Sequence, residues 1–549
     1  MDPTQIQDIP PAVNKKNKKK KKSGPTVEID AEAEALFSTF PVELQFTRAK
    51  GRHAVAQQTV EPGTTVCREK ATFFIVRSPF IDKQCHVCLN SLEDDKVEEV
   101  AHVFTCDSCN KIYYCSKECM DQDKVMHDTM CSTINRLDDI ANDCSVDTDL
   151  LRMMLGLMAQ RTEVNKNNSE TVQPTPYKFV EDLVHNREKI SKDFVDVITR
   201  ASERLNDIVP EKLKMEINDM VLLACRYVAY MSTLCVITAV RSDVQSRNTD
   251  SALGLFPLGA MFFNHSCEPN CNFVGLRDGQ LEFRTLKQVA KGEELCVSYI
   301  DLFAPRNERR GNLLYTKQFW CKCKRCTTPM EKSVDRFLNG VVCRQCQKGV
   351  YVIPPAQING VVPGQDHENS SYPCSQCGHT APHSNVAGVI ERADKQYAQA
   401  ITMIRQRKYG RAKEMLNGLI KAQEYGKTNY ILHEYNAILM NALVPLMNCL
   451  MFENNYLGAI GVNRQILHKL KDSGAVAENS PEIGDFLFNL GEVCQTLAKE
   501  NSGKTVVEER WKQEAEKAFK ECVALRKIAF GEDHPKTQSA QNMIDTSKC

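Results

Sequence analysis

The residues of this chain with the clearest chemical potential are cysteines and one histidine at metal-ligand spacing. Eight of them form four close pairs in one window: Cys85-x2-Cys88, Cys106-x2-Cys109, Cys115-x3-Cys119 and His127-x3-Cys131. Seven thiolates and one imidazole can fill two tetrahedral sites, and such ligands suit Zn2+. His127 is interpreted as a ligand because Cys131 follows one helical turn later on the same face. The window therefore predicts two zinc sites.

Two further groups of cysteines follow this window. The first offers three thiolates, one fewer than a closed structural site needs, and consists of Cys321, Cys323 and Cys326. Cys267 is the obvious fourth ligand, although spacing alone does not select it. The second group has zinc-ribbon spacing with a longer loop and consists of Cys343, Cys346, Cys374 and Cys377. Because protein side chains supply every ligand, these sites are predicted to be structural rather than catalytic.

A second pattern joins separated motifs in a fixed order. It begins with Lys50-Gly51-Arg52, ahead of the cysteine window, and resumes with Asn264-His265-Ser266-Cys267. Gly292-Glu293-Glu294-Leu295 follows, in a segment that ends at Tyr299, and the Cys321-x-Cys323-x2-Cys326 group completes the order. This set resembles SET-domain lysine methyltransferases. With a MYND finger inserted between its halves, the chain is similar to the SMYD family, the SET and MYND domain-containing protein-lysine methyltransferases.

The resemblance implies that the chain binds S-adenosyl-L-methionine and transfers its methyl group to lysine amines of histone or non-histone proteins. Tyr299 matches the family's channel tyrosine, whose hydroxyl can orient the amine while the ring face favours a cation. Lys50 and Arg52 lie where a cation would meet the cofactor carboxylate. The cofactor contacts implied by the resemblance are Lys50, Arg52, Asn186, Asn264, His265, Tyr299 and Phe319.

The resemblance also implies how the finger ligands pair. One ion would be held by Cys85, Cys88, Cys115 and Cys119, and the other by Cys106, Cys109, His127 and Cys131. The gap between Cys88 and Cys106 is longer than the family usually has, which predicts a bulged loop between these two ligands.

Three departures from the family pattern affect the cofactor or lysine pocket. His53 stands where the family usually has a second glycine, and would crowd the cofactor if this position needs a positive φ. The stretch 231–237 lacks an expected asparagine. Lys317 replaces a second channel tyrosine, and Tyr315 lies two residues earlier. These departures favour an alternative, a weak or inactive SET fold that binds proline-containing peptides at the finger and other partners at its helices.

Composition limits the classes of partner. The chain has 549 residues, enough for several domains, and its Lys+Arg and Asp+Glu totals are both 70, so little attraction to DNA is expected. No stretch approaches 18 apolar residues and residues 1–22 contain no apolar leader segment, so no membrane partner is expected. Clustered cysteines then indicate metal in a reducing compartment. We expect a cytoplasmic or nuclear location, and the lysine run at 15–22 could act as an import signal.

Periodicity predicts the elements that position these residues. Alternating runs predict strands at 44–46, 72–76, 273–274, 281–284 and 295–299. Apolar residues at helical spacing, such as Leu150, Met153 and Leu157, predict a helical segment between 132 and 240. The chain after Val386 is helical in period and resembles tetratricopeptide (TPR) repeats, with a generic helical array as the alternative. A chaperone or another partner could bind this end.

These observations predict an α+β protein. Its parts would be a SET β-fold with an inserted MYND zinc finger and a helical insert, a Cys-rich post-SET segment, zinc-ribbon-like knuckles and a C-terminal all-α TPR-like domain. The predicted boundaries are a disordered basic tail at 1–42, the SET N-terminal part at 43–84, the finger at 85–131, the helical insert at 132–252, the SET catalytic core at 253–305, the post-SET segment at 306–330, the ribbon-like insert at 331–385 and the helical domain at 386–549.

Overall fold

The computed structural model of this chain describes residues 29–92, 103–162, 173–234, 236–238, 250–355, 370–423 and 430–546. The strands are β1 (Val42–Thr47), β2 (Gly51–Ala56), β3 (Thr65–Lys70), β4 (Phe73–Val76), β5 (Phe104–Thr105), β6 (Tyr113–Tyr114), β7 (Val236–Thr238), β8 (Asp250–Leu255), β9 (Asn264–His265), β10 (Cys271–Gly275), β11 (Gln280–Thr285), β12 (Cys296–Val297), β13 (Ser371–Pro373) and β14 (Thr380–Pro382).

Helices account for most of the remaining described residues. They are α1 (Ala31–Phe37), α2 (Lys117–Ile134), α3 (Leu137–Cys144), α4 (Thr148–Thr162), α5 (Lys178–Glu181), α6 (Lys192–Ile208), α7 (Ile217–Leu234), α8 (Pro257–Phe262), α9 (Arg306–Lys317), α10 (Lys324–Thr327), α11 (Asp335–Leu338), α12 (His383–Arg405), α13 (Tyr409–Lys421), α14 (Ala437–Phe452), α15 (Tyr456–Asp472), α16 (Pro481–Glu500), α17 (Thr505–Ala529) and α18 (Pro535–Thr546). None of these helices is long and apolar enough to cross a bilayer.

The SET part consists of small sheets whose strands come from both sides of the finger. β3 pairs antiparallel with β11, and β11 pairs with β10, so that Phe283 lies opposite both Cys67 and Phe273. β4 pairs antiparallel with β8. Bulky residues such as Ile75 and Val76 suit these half-buried surfaces and enter the same core as Phe283. The chain before the finger and the chain after the insert therefore share one hydrophobic core.

The finger folds around very little apolar material. β5 pairs with β6, and α2 begins after Ser116, whose hydroxyl accepts the Cys119 N–H. Its fully buried cluster consists of Cys85, Cys109, Ile112 and Tyr114. So small a core offsets little of the loss of chain entropy, and a metal ion bound by the clustered ligands would supply the missing folding free energy.

The C-terminal helices form a stack with its own core. Each helix from α12 to α18 packs against the next one along the chain. Leu443, Leu487 and Phe519 are among the buried residues between them. The helical period predicted after Val386 corresponds to α12–α18. The TPR-like character of the stack stays a prediction.

Three predicted boundaries are wrong within the described residues. The tail does not extend to residue 42, because α1 packs Phe37 into the core, 5.8 Å from the Phe262 ring. The predicted helical insert ends in the strands β7 and β8, since the β-branched run at 236–238 favours a strand. The predicted strand at 295–299 is reduced to β12. The lysine run at 15–22 lies outside the described residues.

Candidate active site and metal centres

Asn264 connects three of the separated motifs. Its side-chain amide donates hydrogen bonds to the Lys50 carbonyl at 3.3 Å, to the Arg52 carbonyl at 3.2 Å and to Glu294 Oε1 at 3.1 Å. Parallel pairing of β9 with β12 places Asn264 beside Cys296. The structure therefore brings the first motif, the Asn-His-Ser-Cys motif and the Gly-Glu-Glu-Leu motif into one place.

Tyr299 and His265 form the second part of this site. The Tyr299 backbone N–H donates to His265 Nδ1 at 3.0 Å, which makes Nδ1 an acceptor. Burial lowers the pKa of His265 to about 4, so the imidazole is neutral with its proton on Nε2, 3.2 Å from Cys267 Sγ. The Tyr299 hydroxyl donates to the Phe263 carbonyl at 2.7 Å. Tyr299 is thus fixed at its backbone N–H and at its hydroxyl.

The cations of the first motif lie at the rim of this site. Lys50 Nζ forms an ion pair with Glu294 at 2.7 Å, and the Arg52 guanidinium lies 3.1 Å from the Asp182 carbonyl and 3.2 Å from Met261 Sδ. Gly51 between them has φ +73°, and a Cβ built on it would meet nothing within 4 Å. Open space beside exposed backbone and two partly exposed cations fits a ligand with a carboxylate.

The remaining two predicted cofactor residues differ in their placement. Phe319 packs with Tyr299 in one small cluster, and its ring centroid is 6.2 Å from that of His265. Asn186 has a left-handed backbone, with φ 48°, in the same loop that brings Asp182 to Arg52. The loop therefore borders the site, but among the described contacts none joins the Asn186 side chain to the other predicted cofactor residues.

The predicted metal ligands assemble into four groups, each with its ligand atoms within 4.8 Å of one another. The groups are Cys85/Cys88/Cys115/Cys119, Cys106/Cys109/His127/Cys131, Cys267/Cys321/Cys323/Cys326 and Cys343/Cys346/Cys374/Cys377. Sulfur–sulfur distances of 3.6–3.7 Å recur in them. Tetrahedral bonds of about 2.3 Å place the sulfurs roughly 3.8 Å apart, so the donor sets fit Zn2+. Cys267, which spacing did not select, joins the third group.

Comparison with known proteins agrees with this geometry. A family model described as "SET domain" matches residues 51–300. A SET and MYND domain-containing protein of Dictyostelium discoideum is 25% identical over 370 residues, which cover 60% of this chain and 69% of that protein. The N-lysine methyltransferase SMYD2 of Homo sapiens is 21% identical over 498 residues, covering 90% of this chain and 96% of that protein. The chain therefore contains a SET domain and is similar to SMYD-family proteins.

A solved SET domain, that of LSMT bound to lysine and AdoHcy, is also similar to this chain. The match covers 94% of this chain and 89% of that one, at 10% sequence identity and a TM-score of 0.28.

The three departures from the SMYD pattern have different structural consequences. His53 lies in β2 and is not among the described residues that have a positive φ. Its Nδ1 is 3.0 Å from the Gly51 carbonyl. No backbone strain therefore arises there. Lys317 Nζ donates to the Ala229 carbonyl at 2.8 Å and lies 6.0 Å from the centre of the Tyr299 ring. Tyr315 is 81% exposed and does not replace a channel residue. The side chains of 231–237 lie outside the described residues.

Sequence reasoning missed a buried network beside the third metal group. Three arginines share one carboxylate, with N–O distances of 2.9 Å from Arg306, Arg309 and Arg325 to Asp335. Burial alone would raise the pKa of Asp335, but the three guanidiniums lower it to about 2. The sequence did carry a signal, because Arg306, Arg309 and Arg310 occur at i, i+3 and i+4 just before the cysteines.

Proposed function

We propose that this chain is an S-adenosyl-L-methionine-dependent protein-lysine N-methyltransferase. The observation that carries the proposal is the convergence of Lys50–Arg52, Asn264–His265 and Tyr299, which are far apart in sequence and meet through hydrogen bonds. Relatives similar to this chain are named N-lysine methyltransferases. Histones and other lysine-containing proteins are the proposed substrates, and Zn2+ is the proposed ion in all four ligand groups.

The side chains of this site suit amine binding and orientation. S-adenosylmethionine, when bound, supplies a methyl group on a positively charged sulfur. The Tyr299 hydroxyl donates a hydrogen bond to the Phe263 carbonyl. The lone pairs of the hydroxyl oxygen are therefore directed away from that carbonyl and can accept a hydrogen bond from an amine N–H. Neutral His265 fixes the Tyr299 backbone without adding charge. Lys50 and Arg52 provide attraction for a carboxylate at the rim, and Phe319 excludes water from the side it covers.

The first prediction concerns Tyr299. We expect Tyr299→Phe to bind S-adenosylmethionine with unchanged affinity but to lose methyl transfer by about 100-fold or more, because orientation of the amine contributes mainly in the transition state. Binding is measured by isothermal titration calorimetry on zinc-replete protein, and transfer by radiolabelled methyl incorporation into a lysine-peptide pool.

Tyr315→Phe is the matched control, because Tyr315 lies on α9 and is 81% exposed. It should behave like the wild type in both measurements. Absence of detectable cofactor binding to the wild-type protein would remove the enzyme hypothesis. Equal methyl transfer by the Tyr299 and Tyr315 variants would remove the role given to Tyr299.

A second candidate function is that of an interaction scaffold with a weak or inactive SET fold. Lys317 favours it, since its ammonium lies 6.0 Å from the Tyr299 ring and repels a substrate ammonium arriving at the same aromatic face. In this alternative the finger binds proline-containing peptides, and the helical stack binds a chaperone or another protein.

The second prediction separates these functions. If the protein is an enzyme restrained by Lys317, Lys317→Met should raise kcat/KM for lysine peptides by about 10-fold, whereas Lys317→Arg should resemble the wild type because it keeps the charge. Peptide methylation assays at one pH compare the variants. A scaffold without catalysis shows no methyl transfer in any of them and retains peptide binding at the finger.

A further inference from the structure

We propose that the third metal group is a charge-paired centre in which buried arginines stabilise the thiolates, and that Arg325 uses this centre to hold the C-terminal helices in place. Arg309 and Arg325 would then be positioning residues for the metal and for the helical stack. The inference rests on zinc occupancy of this group and is independent of methyl transfer.

The arginines contact the metal ligands directly. Arg309 Nε lies 3.3 Å from Cys267 Sγ, and its Nη2 lies 3.9 Å from Cys326 Sγ. The side chains of Arg309 and Asp335 are both 0% exposed. A fully buried guanidinium at hydrogen-bond distance from two sulfurs has its strongest interaction with thiolates rather than with neutral thiols.

The charges of the network require a negative partner. Three guanidiniums share the single carboxylate of Asp335, so this network carries two net positive charges. Arg310 is a further buried cation beside the ligands, where its guanidinium donates to the carbonyls of Cys321 and Cys326. Four thiolates that hold a divalent ion carry two negative charges. Without the ion, neutral thiols would leave buried positive charges unpaired, which is strongly destabilising.

Arg325 extends the centre to the helical stack. Its Nη1 donates to the Cys267 carbonyl at 3.1 Å and to the Ala475 carbonyl at 2.7 Å. Ala475 is buried in the turn between α15 and α16. Gly474 packs against Val334, the neighbour of Asp335, since a Cβ built on it would lie 3.4 Å from that side chain. The turn at 473–475 therefore lies directly on the charged network.

The first test measures zinc retention in the full-length, zinc-loaded chain. With Arg309→Met and Arg325→Met we expect one equivalent of zinc to be lost to a chelator about 10–100-fold more readily than from the wild type. Arg344→Met is the matched control, because Arg344 adjoins a ligand of the fourth group but is exposed and stacks on Tyr430 at 5.4 Å. Zinc retention equal to that of the control would overturn the proposal.

The second test needs no arginine variant and covers the case in which those variants fail to fold. Hydrogen exchange of the wild-type protein is followed during slow chelation. Residues 319–327 and 473–480 should lose protection at the same rate, while 508–525 in the middle of α17 keeps its protection. If 473–480 stays protected after 319–327 has opened, or opens only together with α17, the link through Arg325 is wrong.

Discussion

Glu69 is a buried acid that no motif singled out. Its two carboxylate oxygens accept the backbone N–H groups of Leu258 and Gly259, at 2.9 and 2.7 Å. Burial raises the pKa of Glu69 from its ordinary 4.5 to about 7, although these hydrogen bonds act in the opposite direction. These hydrogen bonds hold α8, which leads directly into Asn264. The protonation state of Glu69 therefore affects how firmly Asn264 and the candidate site are held in place.

The third prediction follows from the sign of this shift. The folded protein binds the Glu69 proton more tightly than the unfolded chain does. The contribution of this proton to the free energy of unfolding is therefore fully present below pH 4.5 and is lost as the pH rises through 7. Between pH 6 and 8 the wild type should lose roughly 1 kcal/mol of unfolding free energy relative to Glu69→Gln. Urea titrations at both pH values measure this difference, with the exposed Glu34→Gln as control. A difference that does not change with pH would contradict the expectation.

The groups of candidate metal ligands could be predicted from sequence, whereas the sequence carried only a spacing signal for the arginines and none for the carboxylate that they share. Pairs such as Cys343-x2-Cys346 report their role through short spacing, because both ligands of a pair lie on one tight turn. Cys267 and Asp335 are brought to their partners by the tertiary fold, and no local spacing records that. Lys50 was predicted to lie where a cation meets the cofactor carboxylate, and the structure pairs it with Glu294.

At the scale of elements, a glycine inside α4 permits close contact between the helical insert and a SET strand. A Cβ built on Gly156 would lie 1.8 Å from the Phe73 ring of β4. The apolar periodicity that predicted this helix was correct. It gave no indication that Gly156, in the middle of the buried stripe, is where an aromatic ring of another element packs.

The fourth prediction compares two helix-interior glycines. Gly156→Ala should lower the free energy of unfolding by about 2–3 kcal/mol, because the Phe73 ring and the strand behind it would have to move. Gly461→Ala in α15 meets nothing within 4 Å and should stabilise the protein by about 0.5–1 kcal/mol through better helix propensity. Urea denaturation followed by circular dichroism measures both, and equal effects of the two variants would contradict the packing argument.

Element types were predictable where one period dominated, and boundaries were not. The β-branched run at 236–238 follows directly on the helical pattern of α7, and its pairing with β8 decides its conformation. Likewise α1 contains too few apolar residues to be predicted alone, but the core gains Ala33 and Phe37 from it. Long-range pairing therefore overrides the local pattern at both places.

At the scale of the whole molecule, Arg284 attaches the helical stack to the SET sheet. It lies on β11 and donates to the Ile528 carbonyl at 3.1 Å and to the Lys527 carbonyl at 3.4 Å, at the C-terminal end of α17. The same guanidinium is 2.6 Å from Glu282 and contacts the Gly63 carbonyl. A cation at this end of a 25-residue helix also interacts favourably with the helix dipole.

The fifth prediction contrasts two arginines that share Glu282. Arg284→Met should cost about 3 kcal/mol, because it leaves the buried Glu282 carboxylate with one cationic partner and uncaps α17. Arg68→Met removes the other partner, but Arg68 is 48% exposed, so its loss should cost less than about 1 kcal/mol. Hydrogen exchange at 526–531 and urea titration measure these effects. A larger loss for the Arg68 variant would show that the attachment lies elsewhere.

The pairing of strands from opposite sides of the finger has a consequence for biosynthesis. Glu69 and its partner Leu258 are 189 positions apart, so a ribosome needs roughly 10–40 s to deliver the second after the first. During that interval β3 and β4 leave the exit tunnel with bare hydrogen-bonding edges, which are templates for aggregation. The finger ligands are complete at Cys131, much earlier. A metal ion bound by these ligands would thus organise the nascent chain well before its central sheet closes.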